Sequence, residues 1–207
     1  MWLEKLTASL ICGLAELLTG ARAIWRDNQP QARQRIYFGN HTSHGDFVLI
    51  WSALPPALRA RTRPVAGADY WDKPGLRSFL IKRVFRGVLI DRTHGDKQHN
   101  PLLVMQEALA AGDSLILFPE GTRNMGEGLL RFRSGIFHLA ETFPDVELVP
   151  VWLENLGRAM PKGILIPLPL LCTLTFGAPL KRHAGETREA FLERLRAALL
   201  QLAPPQH

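Results

Sequence analysis

His41 and Asp46 lie five positions apart in the segment 40–47, and together they could carry out general acid–base chemistry. Residues 35–39 are mostly apolar and predict a short strand, whereas Ser43-x-x-Asp46 before an apolar run predicts a capping box that opens a helix. The turn between the two elements would bring the Asp46 carboxylate to one imidazole nitrogen of His41. The other nitrogen would then be free to take a proton from a bound hydroxyl.

Two other interpretations fit the same residues. In the first, Asp46 only caps the helix and His41 is a loop histidine bonded to the backbone. In the second, His41, His44 and Asp46 bind a metal ion. The two histidines lack the i, i+4 spacing of the H-E-x-x-H zinc motif, and they precede or begin the predicted helix. We therefore favour acid–base chemistry and expect no metal site.

A second group of candidate residues follows the buried-strand pattern of residues 114–118. The chain continues as Pro119-Glu120-Gly121-Thr122-Arg123, which offers backbone N–H groups, a hydroxyl and a guanidinium. These groups together suit a phosphate monoester. Arg92 ends the strand pattern of residues 87–91 in a similar way. The simpler alternatives are an ordinary Pro-Gly turn with a solvated arginine and, for Arg92, a surface charge.

Taken in chain order, these segments resemble the glycerolipid acyltransferase family, which includes the 1-acylglycerol-3-phosphate (lysophosphatidic acid) acyltransferases. The first family block, N-H-x-S-x-x-D, matches residues 40–46, and the second, a G-x-x-I-D-R-like strand end, matches residues 87–92. The third block, F-P-E-G-T-R, matches residues 118–123 without a substitution, and the fourth, V-P-V, matches residues 149–151. The four blocks lie between residues 40 and 153 and keep the family's order.

The resemblance implies transfer of a fatty acyl group to the free hydroxyl of a lysophospholipid, with 1-acylglycerol-3-phosphate as the first candidate. The acyl donor would be acyl-CoA or acyl carrier protein, and neither a cofactor nor a metal ion would be required. His41 would be the general base and Asp46 would hold its ring. The residues expected to bind the acceptor are Arg92, Glu120, Gly121, Thr122 and Arg123, with Arg123 as the direct phosphate ligand and Glu120 ordering the loop.

The chain departs from the family pattern at a few positions. Asn124 stands where many members carry serine, and Arg133 stands where lysine is common. Ala68-Asp69-Tyr70 replaces a Lys-x-Glu-like stretch in the region where acceptors are expected to be distinguished. The acceptor could therefore be another lysophospholipid or a lyso-aminolipid.

Two rival functions come from different classes. A serine hydrolase would need the nucleophile elbow G-x-S-x-G, which the sequence lacks. A lipid-binding module without catalytic activity would use the same basic, amphipathic segments, but it would have no use for a paired His41 and Asp46. An assay with a labelled acyl donor separates these possibilities.

Composition limits the partners. The chain has 207 residues, 46% of them hydrophobic, and a net charge of +6, which suits one globular core and an anionic partner. Basic residues interleave with apolar ones in residues 76–86, and no nucleic-acid-binding motif accompanies them. We therefore expect a membrane lipid surface as partner, and no nucleic acid. Cys12 and Cys172 are expected to be reduced thiols.

The N-terminal segment carries an amphipathic helical pattern. Leucines and other apolar residues recur on one helical face from Leu3 to Ile24, and charged residues lie on the other. Glu16 and Arg22 would interrupt a lipid-facing span, so we expect a helix that lies in the membrane interface rather than one that spans it. The alternative is a helix that only packs on the domain. The predicted organisation is a membrane-interface helix over residues 1–27 and an acyltransferase domain over residues 28–207. We expect a peripheral membrane protein that faces the cytoplasm.

Strand and helix patterns alternate along the rest of the chain. This alternation predicts a single α/β domain with a largely parallel sheet flanked by helices and preceded by the amphipathic helix. Both candidate loops follow strand ends, where open α/β sheets bind their ligands. The predicted strands are residues 35–39, 63–68, 87–91, 114–119, 146–153 and 170–176, and the predicted helices are residues 44–54, 74–86, 100–111, 134–142 and 186–202.

Overall fold

A seven-stranded sheet organises the computed structural model, which describes residues 2–91, 100–124, 126, 128–154 and 172–204. The strands are β1 (Arg22–Trp25), β2 (Arg35–Gly39), β3 (Thr62–Gly67), β4 (Val88–Ile90), β5 (Ser114–Leu117), β6 (Glu147–Glu154) and β7 (Thr173–Phe176). The α-helices in the described ranges are α1 (Trp2–Thr19), α2 (Asp46–Ala53), α3 (Pro56–Arg59), α4 (Ala68–Trp71), α5 (Leu76–Phe79), α6 (Pro101–Ala110), α7 (Gly135–Thr142) and α8 (Arg188–Leu200). The predicted α/β class is confirmed.

The strand order is β1-β7-β6-β2-β5-β3-β4. All neighbouring strands are parallel except β6 and β7, so β1 and β7 run opposite to the other five. The central strands β2 and β5 are fully buried, in keeping with a parallel sheet that is covered on both faces. Phe38 lies opposite Leu117 in this pair, so the loops that follow β2 and β5 leave the sheet side by side.

Two apolar clusters cover the two faces of the sheet. On one face, Phe47, Ile50 and Trp51 of α2 pack with Phe85 and with the inner side of α1. On the other face, residues of α6 and α7 pack with Phe191 and the rest of the buried side of α8. Burial of these large side chains, each worth about 1.5–3 kcal/mol, supplies much of the stability that holds the strand ends in place.

The N-terminal helix is shorter than the sequence pattern predicts. It ends at Thr19, and Arg22–Trp25 form β1, which pairs with β7; the predicted helical face is therefore wrong beyond Leu17. The break occurs at Gly20, which has a φ of +54° and donates its N–H to the Glu16 carbonyl at 2.8 Å. A left-handed glycine of this kind is a common helix terminator.

The orientation of α1 is the reverse of that of an ordinary amphipathic helix. Small and medium residues at helical spacing pack against the domain, namely Ala8, Ile11, Cys12 and Ala15. The leucines of the predicted apolar face point outward and are 43% to 80% exposed, namely Leu3, Leu6, Leu10, Leu14 and Leu17. Among the described residues, no helix has both the length and the apolar character that a membrane span requires.

The single helix predicted over residues 74–86 is replaced by two short elements. Helix α5 is followed by a π-helical turn, Leu80–Val84, in which Phe85 donates its N–H to the Leu80 carbonyl. Gly87 explains the compact ending, because a Cβ there would lie 2.5 Å from the Ile81 side chain. Arg86 adopts a φ of +52°, so the helical path stops before β4 begins. The sequence pattern therefore predicted helical structure in this segment correctly but missed the break between α5 and the π-helical turn.

Candidate active site

His41 and Asp46 are in direct contact, as the sequence predicts. The imidazole Nδ1 of His41 lies 2.8 Å from Asp46 Oδ2, and the exposed fractions of the two side chains are 15% and 0%. The contact forms because β2 ends at Gly39 and α2 begins at Asp46, so only a short turn separates the two residues. An ionised carboxylate can only accept, so Nδ1 carries the proton and Nε2 of the neutral ring is an acceptor.

Asp46 also holds the turn itself. The same oxygen, Oδ2, accepts hydrogen bonds from the Thr42 N–H at 2.7 Å and the Ser43 N–H at 2.9 Å. The other oxygen, Oδ1, is buried and has no hydrogen-bond partner within the described residues. The Ser43 hydroxyl accepts from the Gly45 N–H at 3.2 Å instead of capping α2, so the predicted capping box forms only on the Asp46 side.

Glu120 joins the loop that follows β5 to His41 through hydrogen bonds. Its side chain is 2% exposed, and Oε1 accepts the His41 N–H at 3.0 Å while Oε2 accepts the Leu130 N–H at 2.9 Å. Asn124 then donates its N–H to the His41 carbonyl at 2.7 Å. Both sides of the His41 backbone are thus bonded to the segment that follows β5. The role predicted for Glu120, ordering this loop, stays a prediction.

Phe118 is a site residue that the sequence analysis did not single out. Its ring stacks on the His41 imidazole with 4.3 Å between ring centroids and 12° between planes. Because Phe118 directly follows β5, the alignment of β2 with β5 puts the two rings together. Its place at the start of the F-P-E-G-T-R block was the available signal.

The loop conformation depends on Gly121. This residue has a φ of +72°, and a Cβ there would collide with the Arg133 side chain. Arg133 lies against the loop. Its side-chain Nε is 3.4 Å from the Glu120 carbonyl oxygen, and its backbone N–H donates to the Pro119 carbonyl at 2.8 Å. A glycine suits both the left-handed backbone and the close approach of the guanidinium.

A cavity of about 1040 Å³ joins the two groups of residues. His41 and Phe118 line it on one side, and the third predicted block contributes Gly121, Thr122 and Arg123. Glu120 is not a lining residue, because it lies buried behind the loop. Arg92 lies outside the described residues, although Asp91, the residue before it, lines the cavity. Every described residue of the predicted site is therefore in the cavity wall or directly behind it.

His44, the other histidine of the candidate metal set, makes an aromatic contact. Its ring stacks on Tyr70 with 3.7 Å between centroids, and the Arg77 guanidinium lies over Tyr70 at 4.4 Å. Within the described part of the chain, no group of three or more His, Cys, Asp or Glu side chains is arranged to hold a metal ion. His44, Asp69 and Tyr70 all line the cavity, so the stretch that departs from the family pattern is part of its wall.

Cys172 is a second potentially reactive group close to this region. The side chain is buried in the core cluster on the α2 side of the sheet. Burial raises the pKa of the Cys172 thiol, and the negative charge of Asp46 raises it further. The thiol therefore stays protonated at neutral pH and is a poor nucleophile.

Comparison with known proteins agrees with this geometry. Residues 23–154, more than half of the chain, match the family model described as Acyltransferase. The chain belongs to the acyltransferase family. The match begins within β1 and ends at the last residue of β6, so it contains all four blocks on which the resemblance was based.

Similar proteins include two bacterial enzymes named 1-acyl-sn-glycerol-3-phosphate acyltransferase. The one from Escherichia coli is 31% identical over 179 residues, which cover 79% of this acyltransferase-family chain and 67% of that protein. The one from Haemophilus influenzae is 31% identical over 131 residues, which cover 60% and 49% of the two chains. The chain spans about half the length of several curated relatives that it matches.

A solved structure has the same fold. The 1-acyl-sn-glycerophosphate (LPA) acyltransferase PlsC from Thermotoga maritima superposes with a TM-score of 0.73. The superposition covers 96% of this chain and 79% of that one, at 21% sequence identity. The arrangement of sheet and flanking helices is therefore shared, including the N-terminal helix.

We expect Glu120→Gln to loosen the loop around His41. An amide has only one acceptor oxygen, so its NH₂ group must face either the His41 or the Leu130 N–H. The loss of a hydrogen bond to a buried charged group costs about 1–3 kcal/mol, which corresponds to local exchange faster by about 5- to 150-fold. Hydrogen–deuterium exchange of these two amides measures the change. Glu189→Gln, an exposed position on α8, is the control, and unchanged exchange in Glu120→Gln would contradict the assignment.

Proposed function

We propose that this protein transfers a fatty acyl group from a thioester, acyl-CoA or acyl carrier protein, to the free hydroxyl of a lysophospholipid. One observation carries the proposal. His41 is oriented by Asp46 and lines a cavity whose wall also contains Thr122 and Arg123. A base and an anion-binding loop that share one cavity suit a substrate with both a hydroxyl and a phosphate.

The proposed reaction begins when Nε2 of His41 takes the proton of the acceptor hydroxyl. The hydroxyl oxygen bonds to the thioester carbonyl carbon, and the carbonyl electrons move to oxygen. Collapse of this tetrahedral oxyanion breaks the C–S bond, and the departing thiolate takes the proton from His41. Asp46 stabilises the imidazolium between the two proton transfers. The acceptor is itself the nucleophile, so the proposal includes no acyl-enzyme, cofactor or metal ion.

We assign the acceptor phosphate to Arg123, Thr122 and the backbone of Gly121. A guanidinium, a hydroxyl and N–H groups supply charge-assisted and neutral donors for its oxygens. We keep Arg92 as a further phosphate ligand on the basis of the sequence pattern alone. Two relatives named for 1-acyl-sn-glycerol-3-phosphate support this phosphate-bearing acceptor as the first candidate.

A different lysolipid acceptor is the second candidate. Asp69 and Tyr70 line the cavity where the family pattern would have a Lys-x-Glu-like stretch. A carboxylate and a phenol in this wall interact with headgroup phosphate less favourably than a lysine does, and they suit a headgroup with hydroxyl or ammonium groups. Mass spectrometry of products from a panel of lysophospholipids and lyso-aminolipids distinguishes the two candidates.

His41→Ala should remove the general base and leave the fold intact. General acid–base catalysis by one side chain contributes about 10²–10⁴ in rate, and we expect kcat to fall by that range. Transfer from radiolabelled oleoyl-CoA to lysophosphatidate measures kcat, and circular dichroism checks the fold. His183→Ala, an exposed histidine before α8, is the matched control. Turnover retained by a folded His41→Ala protein would exclude His41 as the base.

Arg123→Ala should weaken acceptor binding more than donor binding. A hydrogen bond to a charged group contributes about 1.5–3 kcal/mol, so the acceptor KM should rise by about 10- to 150-fold while the donor KM changes little. Initial rates over a grid of both substrate concentrations give the two constants. Arg131→Ala changes a nearby exposed arginine that does not line the cavity. An increase confined to the donor KM would show that Arg123 does not bind the acceptor phosphate.

We also propose that the outward face of α1 lies on the membrane surface from which the acceptor is drawn. Five leucines of this face are 43% to 80% exposed, and exposed Arg77 and Lys82 lie in the neighbouring segment. An apolar face beside basic residues suits a membrane that contains anionic lipids. Attachment to the cytoplasmic side stays a prediction from the sequence.

Replacing two leucines of α1, in the double variant Leu10→Lys and Leu17→Lys, should weaken membrane binding. Each leucine contributes about 1.5–3 kcal/mol when buried, so partitioning should fall by at least about tenfold. Sedimentation with vesicles of phosphatidylethanolamine and phosphatidylglycerol measures it. The matched control is Leu103→Lys with Leu200→Lys, which changes exposed leucines of α6 and α8. Equal partitioning of the two double variants would argue against the α1 surface.

A further inference from the structure

Asn40 makes an unusual pair of hydrogen bonds at the end of β2. Its side-chain nitrogen donates to the Leu153 carbonyl at 2.9 Å, and its side-chain oxygen accepts the Leu153 N–H at 2.8 Å. Asn40 is 8% exposed and immediately precedes His41. One buried amide group thus satisfies both backbone groups of a residue on β6.

These bonds continue the ladder between β2 and β6 after the main chain has left it. The last paired residues of the two strands are Gly39 and Val151. The strands are very close at this point, because a Cβ on Gly39 would lie 2.8 Å from the Val151 carbonyl oxygen. A carboxamide presents one donor and one acceptor side by side, as the N–H and C=O of a single strand residue do, so the Asn40 side chain can take the place of backbone pairing. The main chain is then free to turn into the cavity.

His41, the next residue, is held by hydrogen bonds to both its main chain and its side chain. The His41 N–H is bonded to Glu120, its carbonyl to the Asn124 N–H, and its Nδ1 to Asp46. Those three contacts come from the loop after β5 and from α2. Asn40 is the link from the same turn to β6, so it sets where the turn starts relative to the sheet. A shift there would move the imidazole relative to the cavity and to the Phe118 ring on which it stacks.

We propose that Asn40 is a positioning residue for acyl transfer, acting through His41. The inference rests on the proposed role of His41 as the general base. Asn40 does not line the cavity, so it acts without touching the substrate. Small displacements of a catalytic group cost up to about 10²-fold in rate, so removal of this link should lower kcat while leaving substrate binding largely intact.

Asn40→Asp tests the link because it changes one donor into an acceptor at constant shape. An ionised Asp side chain still accepts the Leu153 N–H but meets the Leu153 carbonyl with an oxygen lone pair. A protonated Asp side chain can donate to that carbonyl and restore both bonds. We expect kcat at pH 8 to fall by about 10- to 100-fold with both KM values within about threefold of wild type. The ratio of variant to wild-type kcat should rise toward one as the pH is lowered.

Two further variants separate positioning from general stability. Asn40→Ala removes both bonds, so its kcat should be low at every pH, with no recovery at low pH. Leu199→Ala truncates a buried residue of α8 on the other face of the sheet and should lower the melting temperature without lowering kcat in the folded range. All rates are measured below the onset of unfolding, as judged by circular dichroism.

Each result of these measurements either supports or overturns the positioning role of Asn40. A kcat loss that recovers in Asn40→Asp at low pH, and is absent from Leu199→Ala, supports the inference. Wild-type kcat in folded Asn40 variants, a loss confined to KM, or failure of both Asn40 variants to fold would overturn it. Absence of acyl transfer by the wild-type protein would count against the proposed function itself, and this is distinguishable because it appears before any variant is made.

Discussion

The parallel pairing of β2 with β5 is the contact on which the candidate site depends. These strands lie far apart in sequence, but their register aligns Phe38 with Leu117, and both strands end at the same edge of the sheet. The residues after β2 carry the His41–Asp46 pair, and the residues after β5 carry the loop with Arg123. Because the two strands are buried on both faces, their alignment cannot slip without exposing much of the core.

Two buried carboxylates fix the relative positions of the loops that follow β2 and β5. Neither Asp46 nor Glu120 forms an ion pair with a lysine or arginine within the described residues. Asp46 instead receives two backbone N–H groups and the His41 ring on one oxygen, and Glu120 receives one backbone N–H group on each oxygen. A buried carboxylate that loses such donors is costly, so each one strongly favours the conformation of the loops it joins.

The fold also separates the proposed membrane contact from the core. Helix α1 buries a stripe of small residues against α2 and turns its leucines outward, so burial of the domain does not need those leucines. The cost of their exposure to water is a reason to expect a partner for this face. β1 ties the end of α1 to the sheet through β7, so that face is held rigidly relative to the strands.

Local patterns in the sequence determined the order of strands β2 to β7 and of the longer helices, the turn that joins His41 to Asp46, the composition of the Phe118–Arg123 loop and the family. These features depend on residues within a few positions of one another, so spacing and turn chemistry suffice to predict them. The same patterns missed the stop at Gly20, where helical spacing continued by chance into β1, and the π-helical turn, whose shape is set by the contact of Gly87 with Ile81.

Only the tertiary structure decided which loops meet. The stacking of Phe118 on His41, the bond from Glu120 to His41, and the link from Asn40 to Leu153 all join distant parts of the chain. They depend on which strands become neighbours, and that choice is made by burial of both faces of the whole sheet rather than by any short segment. A sequence pattern therefore names the groups that could react, whereas packing sets the distances between them.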